Sequence, residues 1–238
     1  MWIANRAGCA LVGLCVILTV ALTGVAGAIE TVEVAPGLQV SRKTFDAPAD
    51  EQPFYGFADK SGYAKSFAGA LADAGMTPQK AFAEFTGRGW RAVGTGKFAE
   101  AGRWFNRAYL LAPERSEVYH GLAIVVTSRF QDMAFADELF RAARGQVAPL
   151  RSLSADYGRF LLIARRPRDA EPVLEQAVKD QPEFATAWSN LASARFENGN
   201  SGGACLALDE ARKRGSAADV ADDIAVIARQ AGCSTAPR

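Results

Sequence analysis

Few residues in this chain have the types and spacing needed for bond-making chemistry. The stretch GNSGG, Gly199 to Gly203, meets the G-x-S-x-G pattern that can present a nucleophilic serine, so Ser201 is the first candidate. Such a serine needs a histidine base, and His120 is the one histidine of the chain. The order in which histidine follows serine is therefore excluded. The reverse order belongs to paired β-barrels, which a sequence that reads as helix does not supply. A second stretch, GTGKFA from Gly94 to Ala99, meets G-x-G-x-x-A, but no strand precedes it and no βαβ unit surrounds it. Phe98 follows Lys97 where a P-loop needs Ser or Thr. Cys205, Cys233 and one distant histidine do not make the four ligands of a zinc site. The sequence thus predicts no catalytic residue, no metal and no cofactor.

The first 28 residues read as an address and not as part of the fold. Arg6 is followed by an apolar run from Ala10 to Val25 and then by Ala26-Gly27-Ala28, the three parts of a secretory signal peptide. The alternative is an uncleaved anchor, since residues 7–28 just reach across a bilayer. Either way the positive end stays in the cytoplasm and the rest is exported, which points to the periplasm. The full chain carries 27 basic and 26 acidic residues, and Arg6 is the only charge before residue 29, so the remainder balances at 26 of each. That balance gives no reason to expect nucleic acid or an anionic membrane surface as partner. Two of the four cysteines, Cys205 and Cys233, lie beyond the signal. In an oxidising compartment they would form a disulfide worth roughly 3 kcal/mol, pinning the last helix to the one before it; two separate thiols are the alternative.

These few groups must be held by something, and the chain supplies mainly helix. Residues 29–60 lack helical periodicity and read as an extended linker with one short strand near Glu30 to Val34. Residues 61–81 read as an N-terminal helix leading onward. Gly75 ends a helix there, and Thr77 and Pro78 cap and open the next one. GKFAEAGRWFNRAYLLAP then sets Ala101, Phe105 and Ala108 on one helix face before Pro113. PRDAEPVLEQAVKDQP repeats the spacing with Ala170, Leu174, Ala177 and Pro182, 69 residues downstream, two periods of 34 plus one inserted residue. Pro167 and Pro172 suggest that this later helix starts late, with Asp169 as its cap.

In full register the chain resembles the tetratricopeptide repeat (TPR) family, whose 34-residue unit is a helix hairpin. In the first copy, Phe85, Gly89, Gly96, Phe98, Ala101, Phe105, Ala108 and Pro113 match, although Arg88 takes a usually apolar position. The second, from Ser116, has Tyr119, Leu122, Ala123, Ala136, Phe140 and Ala143, with a turn that lacks glycine and carries the extra residue. The third runs from Arg151 and the fourth from Ala185, the latter with Trp188, Leu191, Ala192, Gly199, Ala204 and Ala211. The resemblance implies an all-α, right-handed α-α superhelix of about four hairpins over 82–215. The segment 216–238 would supply a capping helix and tail, with Val220, Ile224, Val226 and Ile227 largely on one side.

The resemblance also implies a concave groove lined by the first helix of each hairpin. By register it would contain Thr86 and Trp90, then His120, Ile124 and Thr127, then Arg159 and Leu162, then Ser189, Ser193 and Phe196. Trp90, Ile124 and Phe196 would anchor apolar side chains, while His120 and Arg159 would hold backbone or carboxylate groups. The lysine and asparagine set with which chaperone-binding members grip a terminal carboxylate is missing at the matching positions. The expected function is that of a non-enzymatic scaffold or adaptor binding a protein or peptide segment in the cell envelope, as in a secretion, pilus or polymer-export assembly. An envelope enzyme of unrecognised type is the alternative.

Overall fold

The computed structural model describes residues 30–215 and the backbone of 218–233, with side chains at that end described from Ile224 to Cys233. The signal-peptide reading of 1–28 lies outside the described residues. A hairpin of β1 (Thr31–Ala35) and β2 (Leu38–Ser41) comes first, paired antiparallel with Val32 opposite Val40 and turned at Gly37, φ +74°. Ten α-helices follow among the described residues: α1 (Ser61–Asp73), α2 (Pro78–Gly94), α3 (Phe98–Leu111), α4 (Ser116–Val125), α5 (Met133–Gly145), α6 (Leu153–Ile163), α7 (Pro167–Asp180), α8 (Ala185–Glu197), α9 (Ser201–Lys213) and α10 (Ala218–Ala231).

Four hairpins, α2–α3, α4–α5, α6–α7 and α8–α9, stack in series as a right-handed TPR solenoid. The alanine stripe explains how. Ala101, Ala108, Ala136, Ala143, Ala170, Ala177, Ala204 and Ala211 are all fully buried where helices cross most closely, and Phe105, Phe140 and Leu174 fill the gaps between them. The fit extends to the first helices. A Cβ on Gly89 would stand 2.8 Å from the Phe105 ring and one on Gly121 would stand 2.3 Å from it, while on Gly158 it would meet Leu174 at 2.4 Å. Phe105 therefore acts as a knob seated against two glycines on successive hairpins. Arg88, the departure in the first repeat, has no preceding hairpin to pack on. Its guanidinium lies over one face of Trp104, 4.7 Å from the ring centre, while Arg107 stands 4.5 Å from that same centre.

Local signals account for the helix ends. Thr77 accepts from the Lys80 N–H with Pro78 in the first turn of α2, Asp132 caps α5 through Phe135 N–H, and Asn200 caps α9 through Gly203 N–H. The third repeat corrects one expectation. α7 begins at Pro167 and not after it, because proline at the first helical position gives up an N–H that has no partner there anyway. Asp169 lies inside the helix and accepts from Arg166 Nε at 2.7 Å. Pro172 is carried within α7 at the cost of one helical hydrogen bond, to the Arg168 carbonyl.

The inserted residue of the second repeat appears as a π-turn over Val126–Phe130, closed by Gln131 N–H donating to Val126 O at 2.8 Å. A single extra residue in a helix is absorbed in this way without breaking the flanking turns. Gln131 then takes the left-handed conformation, φ +56°, that a glycine would normally occupy.

The region expected as an extended linker, 29–60, is corrected from residue 30 onward: it is a strap folded against the second helices of the first two hairpins. Val40 and Phe54 are fully buried, and Phe54 sets its ring edge-on to Tyr109 at 5.1 Å. Phe45 stacks on Phe130 at 4.1 Å. Tyr109 donates to Val34 O at 2.6 Å, and Asn106 Nδ2 donates to Asp50 O and Gln52 O at 2.8 and 2.6 Å. Glu51 accepts from both Arg103 and Arg129. Gly102 makes this approach possible, since a Cβ there would stand 2.6 Å from the Glu51 carbonyl oxygen. The strap lacks periodicity because its backbone is satisfied by tertiary partners and by a short left-handed turn through Phe54, Tyr55, Gly56 and Phe57.

At the other end α10 packs on α8 and α9, with Ile224 and Ala228 buried. A disulfide joins Cys205 in α9 to Cys233 just beyond α10, with Cα atoms 5.4 Å apart.

Candidate partner-binding cleft

The inner side of the first three hairpins holds a cleft of about 410 Å³, within the ~300–1,000 Å³ typical of ligand sites. The second hairpin supplies Ile124, Thr127 and Ser128 from α4 and its π-turn, with Phe140 behind them. The third supplies Asp156, Arg159, Phe160 and Ile163 from α6, and Val93 and Phe98 close the cleft from the first. Ile163 is 53% exposed, unusual for so large an apolar side chain in a packed array.

Three predicted groove residues, Ile124, Thr127 and Arg159, come together in this cleft. Thr127 turns its hydroxyl back to Ala123 O at 2.8 Å, while Arg159 is exposed. Leu162 is displaced from its expected place. It packs partly against the core, and its neighbour Ile163 lines the cleft instead, a register difference of one residue.

His120 is fully buried and does not present itself to a ligand. Its ring lies 4.8 Å from Trp90 and 5.9 Å from Phe140, and its Nε2 is 3.0 Å from Asp156 Oδ2. Its effect on the cleft is indirect: it holds the one carboxylate of the lining. Trp90 is half-buried as well, donating from Nε1 to Glu117 at 2.8 Å with its edge against Phe105. Thr86 is buried and donates to Ala83 O at 3.4 Å. Along α8, Ser189 is buried with its hydroxyl on Thr186 O, Ser193 donates to Ser189 O, and Phe196 is half-buried; none of the three lines the cleft.

The lining residues missed by register alone are Val93, Phe98, Ser128, Phe140, Asp156, Phe160 and Ile163. Of these, Ile163 carried a readable signal, standing one turn after Arg159 on the same face of α6. The two glycine-rich stretches serve as turns. Gly96, at φ +70°, joins α2 to α3, and Gly199, at φ +82°, precedes Asn200, which caps α9 with Ser201 as its first residue. Among the described residues no three His, Cys, Asp or Glu side chains converge as a metal set, and no helix is long and apolar enough to cross a membrane.

Burial raises the pKa of three tyrosines and so opposes their ionisation. Desolvation lifts Tyr55 to about 12. Tyr157 also rises to about 12, first through burial and then through its hydrogen bond to Asp137 at 2.8 Å. Tyr119, fully buried with its hydroxyl on Pro113 O, is pushed further up by the same desolvation.

No protein-family model matches this sequence, and no curated protein matches it either. Solved structures do resemble it. PilF of Pseudomonas aeruginosa superposes with a TM-score of 0.58 at 20% identity, over 64% of this chain and 70% of that one. PilW, described as a widely conserved type IV pilus biogenesis factor, gives 0.53 at 20% identity over 73% and 81%. YrrB, described as a TPR protein with an unusual peptide-binding site, gives 0.52 at 15% identity over 72% and 87%. The fold of this chain is therefore the tetratricopeptide-repeat fold.

Proposed function

We propose that this protein is a non-enzymatic adaptor of the bacterial cell envelope that binds a segment of a partner protein in the cleft between its first three hairpins. The observation that carries the reading is the cleft itself: apolar walls, an exposed Ile163 and an exposed Arg159 on a rigid stacked frame. Such a surface suits an extended segment whose side chains alternate between wall and solvent. The similarity to a pilus biogenesis factor and to a peptide-binding TPR protein supports a role in assembling an envelope machine, such as a secretion, pilus or polymer-export system. The signal-like segment at 1–28 and the Cys205–Cys233 disulfide support export into an oxidising compartment, the periplasm, with residues 7–28 as an inner-membrane anchor if they are retained.

A photo-crosslinking residue placed at Ile163 should capture one defined partner in living cells, whereas the same residue at Arg141, on the outer surface of α5, should not. Ile163→Asp should abolish association with that partner while changing stability by no more than about 0.5 kcal/mol, because the side chain is already exposed. Equal capture from both positions would remove the cleft from consideration.

A further inference from the structure

The charges around the cleft specify more than a greasy groove. Asp156 and Arg159 stand three residues apart on α6, the spacing at which a helical ion pair ordinarily forms. Here Asp156 is held by His120 at 3.0 Å, and His120 itself is fully buried between Trp90 and Phe140. Among the described residues Arg159 makes no ion pair, in contrast to Arg166 and Arg195, which each bridge two carboxylates. Its guanidinium projects one turn from exposed Ile163, so a positive charge and an open apolar contact sit side by side.

Phe98 and Ser128 also border a second, larger hollow of about 670 Å³, lined by Lys97, Glu100, Arg103 and Arg129. Glu51 occupies both arginines, and Glu100 accepts from Trp104 Nε1 at 3.2 Å. Lys97, exposed at the start of α3, makes no ion pair among the described residues. Each of these carboxylates thus has a hydrogen-bond donor within the protein, whereas Arg159 and Lys97 make no ion pair among the described residues.

We infer that the cleft selects an acidic–apolar partner segment, in which large aliphatic or aromatic side chains are flanked by carboxylates. This rests on the cleft being the partner site. The guanidinium of Arg159 is a two-pronged donor matched to a carboxylate, and Lys97 supplies a second positive pole beyond the apolar stretch. Segments with basic flanks find no such match at Arg159 or Lys97.

The test is an array of random 12-residue peptides probed with the purified protein at low and high salt. Retained peptides should be enriched in Asp or Glu beside Leu, Ile or Phe, and their retention should weaken with salt. The double change Lys97→Glu with Arg159→Glu should lower affinity for them by about tenfold or more, the scale of a lost charge-assisted contact. Arg159→Lys with Lys97 intact should keep part of that affinity. Both positions are exposed, so circular dichroism should show an unchanged fold. Peptides retained for apolar content alone, or for basic flanks, with the double variant unaltered and Ile163→Asp still abolishing binding, would overturn this inference and leave the cleft assignment standing. If no peptide is retained, or if Ile163→Asp changes nothing, the cleft assignment fails and this inference fails with it.

Discussion

The outer face of the first two hairpins and the cleft on the inner side of the first three treat their charges in opposite ways. Outside, Arg103 and Arg129 are both neutralised by Glu51, and Asn106 and Tyr109 are satisfied by strap carbonyls, so the chain has supplied its own partner. Inside, Arg159 makes no ion pair among the described residues and Ile163 is exposed. The two faces come from the same repeated hairpin, and the difference arises from what lies against them. The comparison teaches that an array of this kind exposes two grooved surfaces, and that a docked segment of its own chain decides which one stays open. The strap shows what an occupant of such a surface looks like: an aromatic anchor, a carboxylate between two arginines and backbone carbonyls on side-chain donors.

The strongest way to break the contrast is to remove the strap's anchor. Phe54→Ala deletes a fully buried ring and should destabilise the protein by about 3–5 kcal/mol, read as the shift in a urea or thermal midpoint. It should also make residues 30–57 susceptible to limited proteolysis while the hairpins remain protected. A smaller effect tests the charge clamp alone. Glu51→Gln leaves two arginines facing a neutral amide and should cost about 1.5–3 kcal/mol, the scale of hydrogen bonds to charged groups. Cleft binding should survive it, since Glu51 lies on the outer side.

The smallest effect is nil at neutral pH and appears only in alkali. Tyr55 in the strap and Tyr157 between the second and third hairpins both have folded-state values of about 12, above the ordinary value near 10. A raised value means that the folded state holds the phenol proton more tightly. The associated stability is fully present below about pH 10 and is lost as pH rises toward 12. Ultraviolet titration should therefore show late phenolate formation for the buried tyrosines. In Phe54→Ala, Tyr55 should return toward about 10 while Tyr157 stays late. Early ionisation of both would show that the variant had loosened the hairpins as well as the strap.

Much of the array is legible in the order of residues along the chain. The seven-residue alanine stripes, the paired glycines, Thr77 with Pro78 and the terminal prolines each state a local geometry, and all appear where the repeat places them. Less of the cleft is legible, three of its ten lining residues. Ile124, Thr127 and Arg159 follow from register, yet Trp90 and His120 at matching positions are absorbed into the wall because bulky rings there pack on Phe105 and Phe140. Gly102, Asn106 and Tyr109 form a stripe on the outer face of α3 that fits no stacking role, and this is the one sequence trace of the strap.

Taken alone, the sequence determined the period, the helix ends, the close-packed stripes and the order of the hairpins, because each depends on residues within a turn or two of one another. Only the tertiary structure decided the course of the strap, the burial of His120 against Asp156 and the use of the inserted residue as a π-turn beneath the cleft. Those features join residues up to 97 apart, as between Ser41 and Glu138, and no local pattern records a contact that exists only after the hairpins have stacked.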